Sequence, residues 1–261
     1  MEGVVRHARA FNPRTDIVQM HFAMPEFLTE YRAGTVPRVI AQHEKVAVAY
    51  GNPSVNLALE VTERIDAGEF TWQDDFKGLH PSPFGNQLYA HSISRMLDAA
   101  WSGPVRPPQD HPVPAKPLDP QSYSQGRFGN LQAVRLIKGF QRVEDWTPAL
   151  QVGTRAGFVH VPALAATEPE AELEIPFEGR GIGIFIGSGP DAGQVEVSCD
   201  GVAFRTVETF TRWSSGLYLP WALMLEDEVQ PGPHVLRVRI SREHHEKSKG
   251  TALYIFRVLE N

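Results

Sequence analysis

The apolar positions change their period once along the chain, near residue 120. Before that point the pattern predicts a helix over 2–11, a buried strand over 16–22, and a helix over 37–50 whose Val39, Ile40, Val46 and Tyr50 face a sheet. A strand over 54–59 and a short helix over 60–67 follow. Strands alternating with helices predict a parallel sheet covered on both faces, with functional loops at the carboxyl ends of its strands. After the change, short apolar or alternating runs occupy 157–161, 171–177, 183–186, 194–199, 204–209, 234–240 and 252–259, separated by Gly, Pro and Asp. Such spacing predicts an antiparallel sandwich. Asp200-Gly201 marks a hairpin turn within it, and the Gly-Pro-Asp-Ala-Gly run at 189–193 a tight connection.

Between the two patterns stand Pro104, Pro107, Pro108, Pro112, Pro114, Pro117 and Pro120. A segment with so few backbone donors favours extended conformations and reads as a stiff linker. The expected organisation is therefore an α/β domain over 1–101, a Pro-rich linker over 102–122 and an all-β domain over 123–261.

Composition narrows the partners. A chain of 261 residues that is 42% hydrophobic is globular and long enough for two domains, and a formal net charge of -6 argues against a dedicated nucleic-acid binder. No apolar run reaches membrane-spanning length, and the first residues lack the charged start and apolar core of an export signal. The expectation is no membrane partner, with the compartment left open should residues precede Met1. Cys199 is the lone cysteine, so no intrachain disulfide forms and no oxidising compartment is diagnosed.

The run from Asp75 to Ala90 (DFKGLHPSPFGNQLYA) holds the main candidate chemistry. Pro81 and Pro83 stiffen the backbone behind His80, Ser82 is placed to cap the next helix, and Leu88, Ile93 and Leu97 share its apolar face. A histidine fixed at a loop-to-helix junction serves either as a catalytic base or as a turn residue bonded to its own loop. The remaining clusters read more plainly. The glycines from 179 to 193 lie in a strand and its turn, with no helix to follow as a phosphate loop needs. His244-His245 sits in a charged turn with its side chains directed into water, and His21 and His43 read as structural or surface residues. Trp213, Tyr218 and Trp221 are either core or a sugar-stacking platform.

His80-Pro81, followed by Gly85 and the pair Tyr89-Ala90, resembles the acid–base block of the SGNH (GDSL-type) hydrolases, and the segment from Glu2 to Met20 is similar to the family's approach to it. The resemblance spans about residues 1–101. It implies a partial SGNH, flavodoxin-like three-layer α/β fold and a serine esterase in which His80 is the base, oriented by a carboxylate. Lys77 stands where the family carries its acid, which leaves Asp75 as the first choice and Asp74 as the second. The second half looks like the jelly-roll accessory sandwich of carbohydrate esterases, which implies an acylated carbohydrate or other small ester as substrate and neither cofactor nor metal. The family's early blocks are missing: there is no Gly-Asp-Ser turn and no Asn-Asp pair. Two functions stand side by side on these residues. One is a carbohydrate O-acetyl esterase whose nucleophile lies outside this chain; the other is a non-catalytic remnant or carbohydrate-binding and docking protein. An α/β layer without its first strands also carries the expectation of self-association through an exposed sheet edge. Ser82 is the serine nearest His80 in the sequence.

Overall fold

The computed structural model describes residues 1–104 and 107–261, and the chain divides into two compact units, Met1–Ser124 and Gln125–Asn261. The first unit contains α1 (Glu2–Phe11), β1 (Gln19–Met20), α2 (Pro25–Arg32), α3 (Arg38–Tyr50), β2 (Ser54–Val55), α4 (Leu57–Asp66), a π-helical turn (Trp72–Phe76) and α5 (Pro83–Trp101). Its strands pair in parallel, Gln19 opposite Ser54 and Met20 opposite Val55.

Both strands are shorter than the hydrophobic pattern predicts, and the reasons are local. Asn56 accepts the N–H of Leu59 at 3.1 Å, so α4 starts at Leu57 and the strand expected over 54–59 stops at Val55. Beyond Met20, Pro25 occupies the first turn of α2, a helix that the pattern missed although proline and Glu26 mark its start. On α3, Ile40, Val46 and Tyr50 are buried as expected, whereas Val39 points outward. Ile40 packs with Leu28, Leu57, Val61, Phe76 and Leu88 into the core of this unit.

The Pro-rich stretch expected as a linker belongs to the first unit, and its described residues from Pro112 to Asp119 lie along the charged side of α1, while residues 105 and 106 of that expectation lie outside the described residues. Arg9 donates to the carbonyls of Tyr50 (2.8 Å) and Pro112 (3.1 Å), and Arg6 to that of Pro114 (2.9 Å). Glu2 accepts the N–H groups of Leu118 and Asp119 at 2.7 and 2.8 Å. A chain rich in proline has carbonyls to satisfy and few donors of its own; the arginines of α1 supply the donors.

The second unit is an antiparallel sandwich. Its strands are β3 (Arg127–Gly129), β4 (Arg135–Lys138), β5 (Gln141–Trp146), β6 (Val161–Ala166), β7 (Glu172–Gly179), β8 (Ile182–Ser188), β9 (Gln194–Cys199), β10 (Arg205–Glu208), β11 (Leu219–Glu226), β12 (Gly232–Ile240) and β13 (Leu253–Glu260). One sheet runs β10-β9-β12-β7-β4; the other runs β11-β8-β13-β6-β5, with β3 paired to β13. Leu173, Ile175, Ile184, Ile186, Leu236, Val238 and Ile255 fill the space between them. The run expected over 157–161 begins only at Val161, and β3, β4, β5 and β11 were not predicted. Asp200 and Gly201 both take positive φ, 51° and 79°, the backbone twist that a tight antiparallel hairpin requires, and β9 and β10 pair across them.

Candidate active site

His80 sits at the end of a stiffened loop. Thr71 caps the π-turn by accepting the N–H of Asp74 at 3.1 Å. Asp75 returns its carboxylate to the N–H and hydroxyl of the same threonine at 2.8 and 3.1 Å. Phe76, fully buried, anchors the turn in the core, and Lys77 (φ 75°) and Gly78 (φ 138°) swing the chain out toward His80. Ser82 then caps α5, accepting from the N–H of Gly85 at 3.3 Å while donating to the Asp75 carbonyl at 2.5 Å. Gly85 is required by close approach: a Cβ there would stand 2.7 Å from the Pro81 Cβ and 2.9 Å from the Phe76 ring.

The loop therefore fixes the backbone of His80, but its imidazole is exposed and makes no hydrogen bond among the described residues. His80 and Asp75 are not brought together. The Asp75 carboxylate is committed to Thr71 and lies at the rim of a cleft of about 580 Å³ lined by Leu28, Arg32, Phe70 and Trp72. The Ser82 hydroxyl is committed to capping and to the Asp75 carbonyl, so it is not an activated nucleophile directed at His80.

The sequence reading missed a second histidine site in this unit. His21, immediately after β1, is buried and its Nε2 lies 2.6 Å from Glu44 Oε1; Ser54 donates to the other oxygen of Glu44 at 3.0 Å. The signal was His21 at the carboxyl end of a strand, the position where open α/β sheets carry chemistry. The order of contacts argues against nucleophilic catalysis: Ser54 bonds the acid and not the imidazole, so no base withdraws its proton. His43 stands 6.0 Å from the His21 ring, and burial together with that neighbour lowers its pKa.

In the sandwich, His234 is held at both ring nitrogens, Nδ1 to Asp200 Oδ2 at 2.6 Å and Nε2 to the Gln230 carbonyl at 2.6 Å. These bonds raise the His234 pKa, since an imidazole that donates from both nitrogens is the cation. Ligand atoms of Cys199, Asp200 and His234 lie within 4.8 Å of one another, yet no lone pair of the doubly bonded imidazolium remains for a metal. Burial first, and then Asp200 beside it, pushes the Cys199 thiol up to about 11. The three residues thus act as a clamp on the hairpin between β9 and β10. His245 stacks on Phe210 with ring centroids 4.6 Å apart and accepts the N–H of Lys247, rather than pairing with His244 around an ion.

Of the three aromatics singled out as core or platform, Tyr218 is buried, packed on Trp146 and Tyr254. Trp213 and Trp221 are exposed, 5.9 Å apart and inclined by 51°, with Arg212 lying 4.0 Å over the Trp213 ring. The glycines from 179 to 193 serve the strands β7 and β8 and the connection after them.

No family model matches the chain, and no curated protein matches it in sequence. Its fold does match solved structures. A two-domain esterase active on acetylated mannans, in a crystal structure with mannopentaose, is similar over 99% of this chain with a TM-score of 0.73 and 20% identity. A second crystal structure of a two-domain esterase active on acetylated mannans gives a TM-score of 0.72 and 18% identity, again over 99% of this chain. The chain spans 66% and 67% of the length of those two chains. At this identity the likeness defines a shared fold: helices around a short parallel sheet, followed by an antiparallel sandwich. No helix among the described residues is long and apolar enough to cross a membrane.

Proposed function

We propose that the chain is part of a carbohydrate O-acetyl esterase of the SGNH type, with His80 as the base of a serine triad and the jelly-roll sandwich as its accessory domain. The observation that carries this reading is the likeness along 99% of the chain to a two-domain esterase active on acetylated mannans. The stiffened loop at His80 supports it. Thr71, Phe76, Ser82 and Gly85 fix the backbone on both sides of a ring left open to solvent, the arrangement a base needs before a nucleophile and substrate are brought to it. The exposed Trp213 and Trp221 offer aromatic faces on which a sugar ring stacks.

On this reading the nucleophilic serine and the oxyanion donors come from outside residues 1–261, and a carboxylate freed from its present bonds, Asp75 first and Asp74 second, orients His80. The chain alone is then inert toward acetyl esters, because residues of a triad act as a unit. The test joins the chain to the part of the mannan esterase that the likeness leaves uncovered and measures acetate release from acetylated mannan. Release that His80→Ala reduces by a factor of about 10²–10⁴ supports the reading. Release indifferent to His80 rejects it.

A second reading, a carbohydrate-binding or docking protein without catalysis, is favoured by one observation: neither Asp75 nor Ser82 reaches His80. It predicts that the unmodified chain is retarded in gels containing acetylated mannan, that Trp213→Ala and Trp221→Ala abolish the retardation, and that the fusion releases no acetate.

A further inference from the structure

The outer face of the larger sheet carries a cleft whose chemistry is separate from that of His80. Along β13, Tyr254 and Phe256 face outward, packed with Trp146, while Leu253, Ile255 and Val258 face the interior of the sandwich. Strict alternation would turn Val258 outward. A bulge prevents this: the register against β8 shifts between Ile255, opposite Ile186, and Arg257, opposite Phe185. Two residues of β13 are thereby set against one interval of β8, which delivers Phe256 and Arg257 to the same side.

That side is a cleft of about 570 Å³, within the size range of small-molecule sites. Phe158, Phe185 and Phe256 form its walls, with Phe158 centroids 5.4 Å from Phe185 and 6.2 Å from Phe256, and Phe128 stands exposed at its mouth. Ala222 on β11 keeps the space open. Arg257 is the one charged residue of its lining. The guanidinium donates only to the Phe256 carbonyl, at 2.9 Å, and forms no ion pair among the described residues. Elsewhere on the sheets Arg127 pairs with Glu260, Arg237 with Glu172 and Glu174, and Arg239 with Glu196, while Arg142 spends its donors on the carbonyls of Leu131, Gln132 and Val134.

We propose that this cleft binds a small aromatic carboxylate, its ring between the phenylalanines and its carboxylate on Arg257. The complement is specific in both parts. Phenyl walls favour an aromatic body through offset or edge contacts. An arginine with free donors, on a lining without any acid, favours a planar carboxylate that can accept two parallel N–H bonds. A neutral sugar fits neither part, because its hydroxyls would be left without partners against the phenylalanines.

The test is calorimetric titration of the full chain with trans-cinnamate, with cinnamyl alcohol as its uncharged counterpart and with acetate as the carboxylate without a ring. Cinnamate is expected to bind at least about tenfold more tightly than either. Arg257→Gln should remove the preference over the alcohol while leaving the alcohol's affinity unchanged. Phe158→Ala should weaken cinnamate and alcohol alike, with thermal unfolding used to verify that both variants are folded. Equal affinity for acid and alcohol, cinnamate binding indifferent to Arg257→Gln, or no binding at millimolar ligand would each overturn the proposal. So would concentration-dependent self-association relieved by Phe128→Ser, because the occupant would then be a second copy of the chain.

Discussion

The hydroxyl of Tyr89 accepts the backbone N–H of Ala23 at 2.9 Å, which ties the second turn of α5 to the chain that leaves β1 at its carboxyl end. Tyr89 is buried, and its ring packs edge-on against Phe22 and Phe76, so one side chain links the strand end, the π-turn and the helix behind the His80 loop. Tyr89→Phe keeps the packing and strands the Ala23 donor. The expected loss is about 1–3 kcal/mol, the cost of an unsatisfied buried amide. Urea unfolding checks it, and a change under about 0.5 kcal/mol would mean that water replaces the hydroxyl.

Gly85→Ala should be costlier than its small size suggests. The new methyl meets the Pro81 Cβ at 2.7 Å and the Phe76 ring at 2.9 Å, and neither is the free end of a flexible chain. Overpacking of this kind costs about 1–3 kcal/mol. In denaturant titrations the variant should unfold earlier, and NMR shifts should change for Pro81 and Phe76; an unchanged midpoint would show that the loop relaxes freely.

What the sequence could show here depended on whether a signal was local. Ser82 as cap of α5 and the positive φ pair at Asp200-Gly201 were legible because each is decided within four residues. The unpredicted β11 has a leading Pro220 and a register shift between Met224 and Glu226, so its alternation is broken where the pattern needed it. The Pro-rich stretch read as a stiff linker because its partners, Arg6, Arg9 and Glu2, lie about a hundred residues upstream. His21 was read as a structural or surface residue because its bond to Glu44 is likewise set by tertiary packing. His80 was legible as a fixed histidine, but not which carboxylate accompanies it: Asp75 was already spent on capping the π-turn, and π-turns have no simple sequence signature.

The His234 clamp should make stability depend on pH in a defined window. Bonds to Asp200 and to the Gln230 carbonyl raise the pKa of His234, so its contribution is fully present below the unfolded value near 6.5 and is lost as pH rises through the raised folded value. The bond from His234 and the Val235 N–H lower the pKa of Asp200, whose contribution is present above about 3.9 and lost as pH falls through the lowered value. Between about pH 4 and 6.5 both act together. Urea midpoints measured from pH 4 to 9 should therefore fall at the alkaline end in the native protein, and the fall should be smaller in His234→Gln. Parallel curves for the two proteins would exclude the clamp.

Cys199 should be chemically silent in the folded protein. Its thiol is buried and pushed up to about 11, so at pH 8 the thiolate fraction is about a hundredfold below that of an ordinary cysteine. Iodoacetamide at pH 8 should label it slowly in buffer and rapidly in urea. Labelling at the unfolded rate in buffer would place the β9 end in frequent local opening.

His80→Ala separates a catalytic role from a structural one. The imidazole is exposed and bonds to nothing among the described residues, while the loop that carries it is held by Thr71, Phe76, Ser82 and Gly85. Removing it should therefore change folding stability by no more than about 0.5 kcal/mol, the range of substitutions at exposed positions without special contacts. If His80 is the base, the same substitution in the fusion that supplies a serine should lower kcat on acetylated mannan by a factor of about 10²–10⁴ with KM little changed, because a base acts in the transition state and not in binding. Unfolding midpoints and steady-state kinetics on one pair of proteins decide the matter. A large loss of stability would mean that the ring holds its own loop, and an unchanged kcat would leave the open imidazole without a catalytic task.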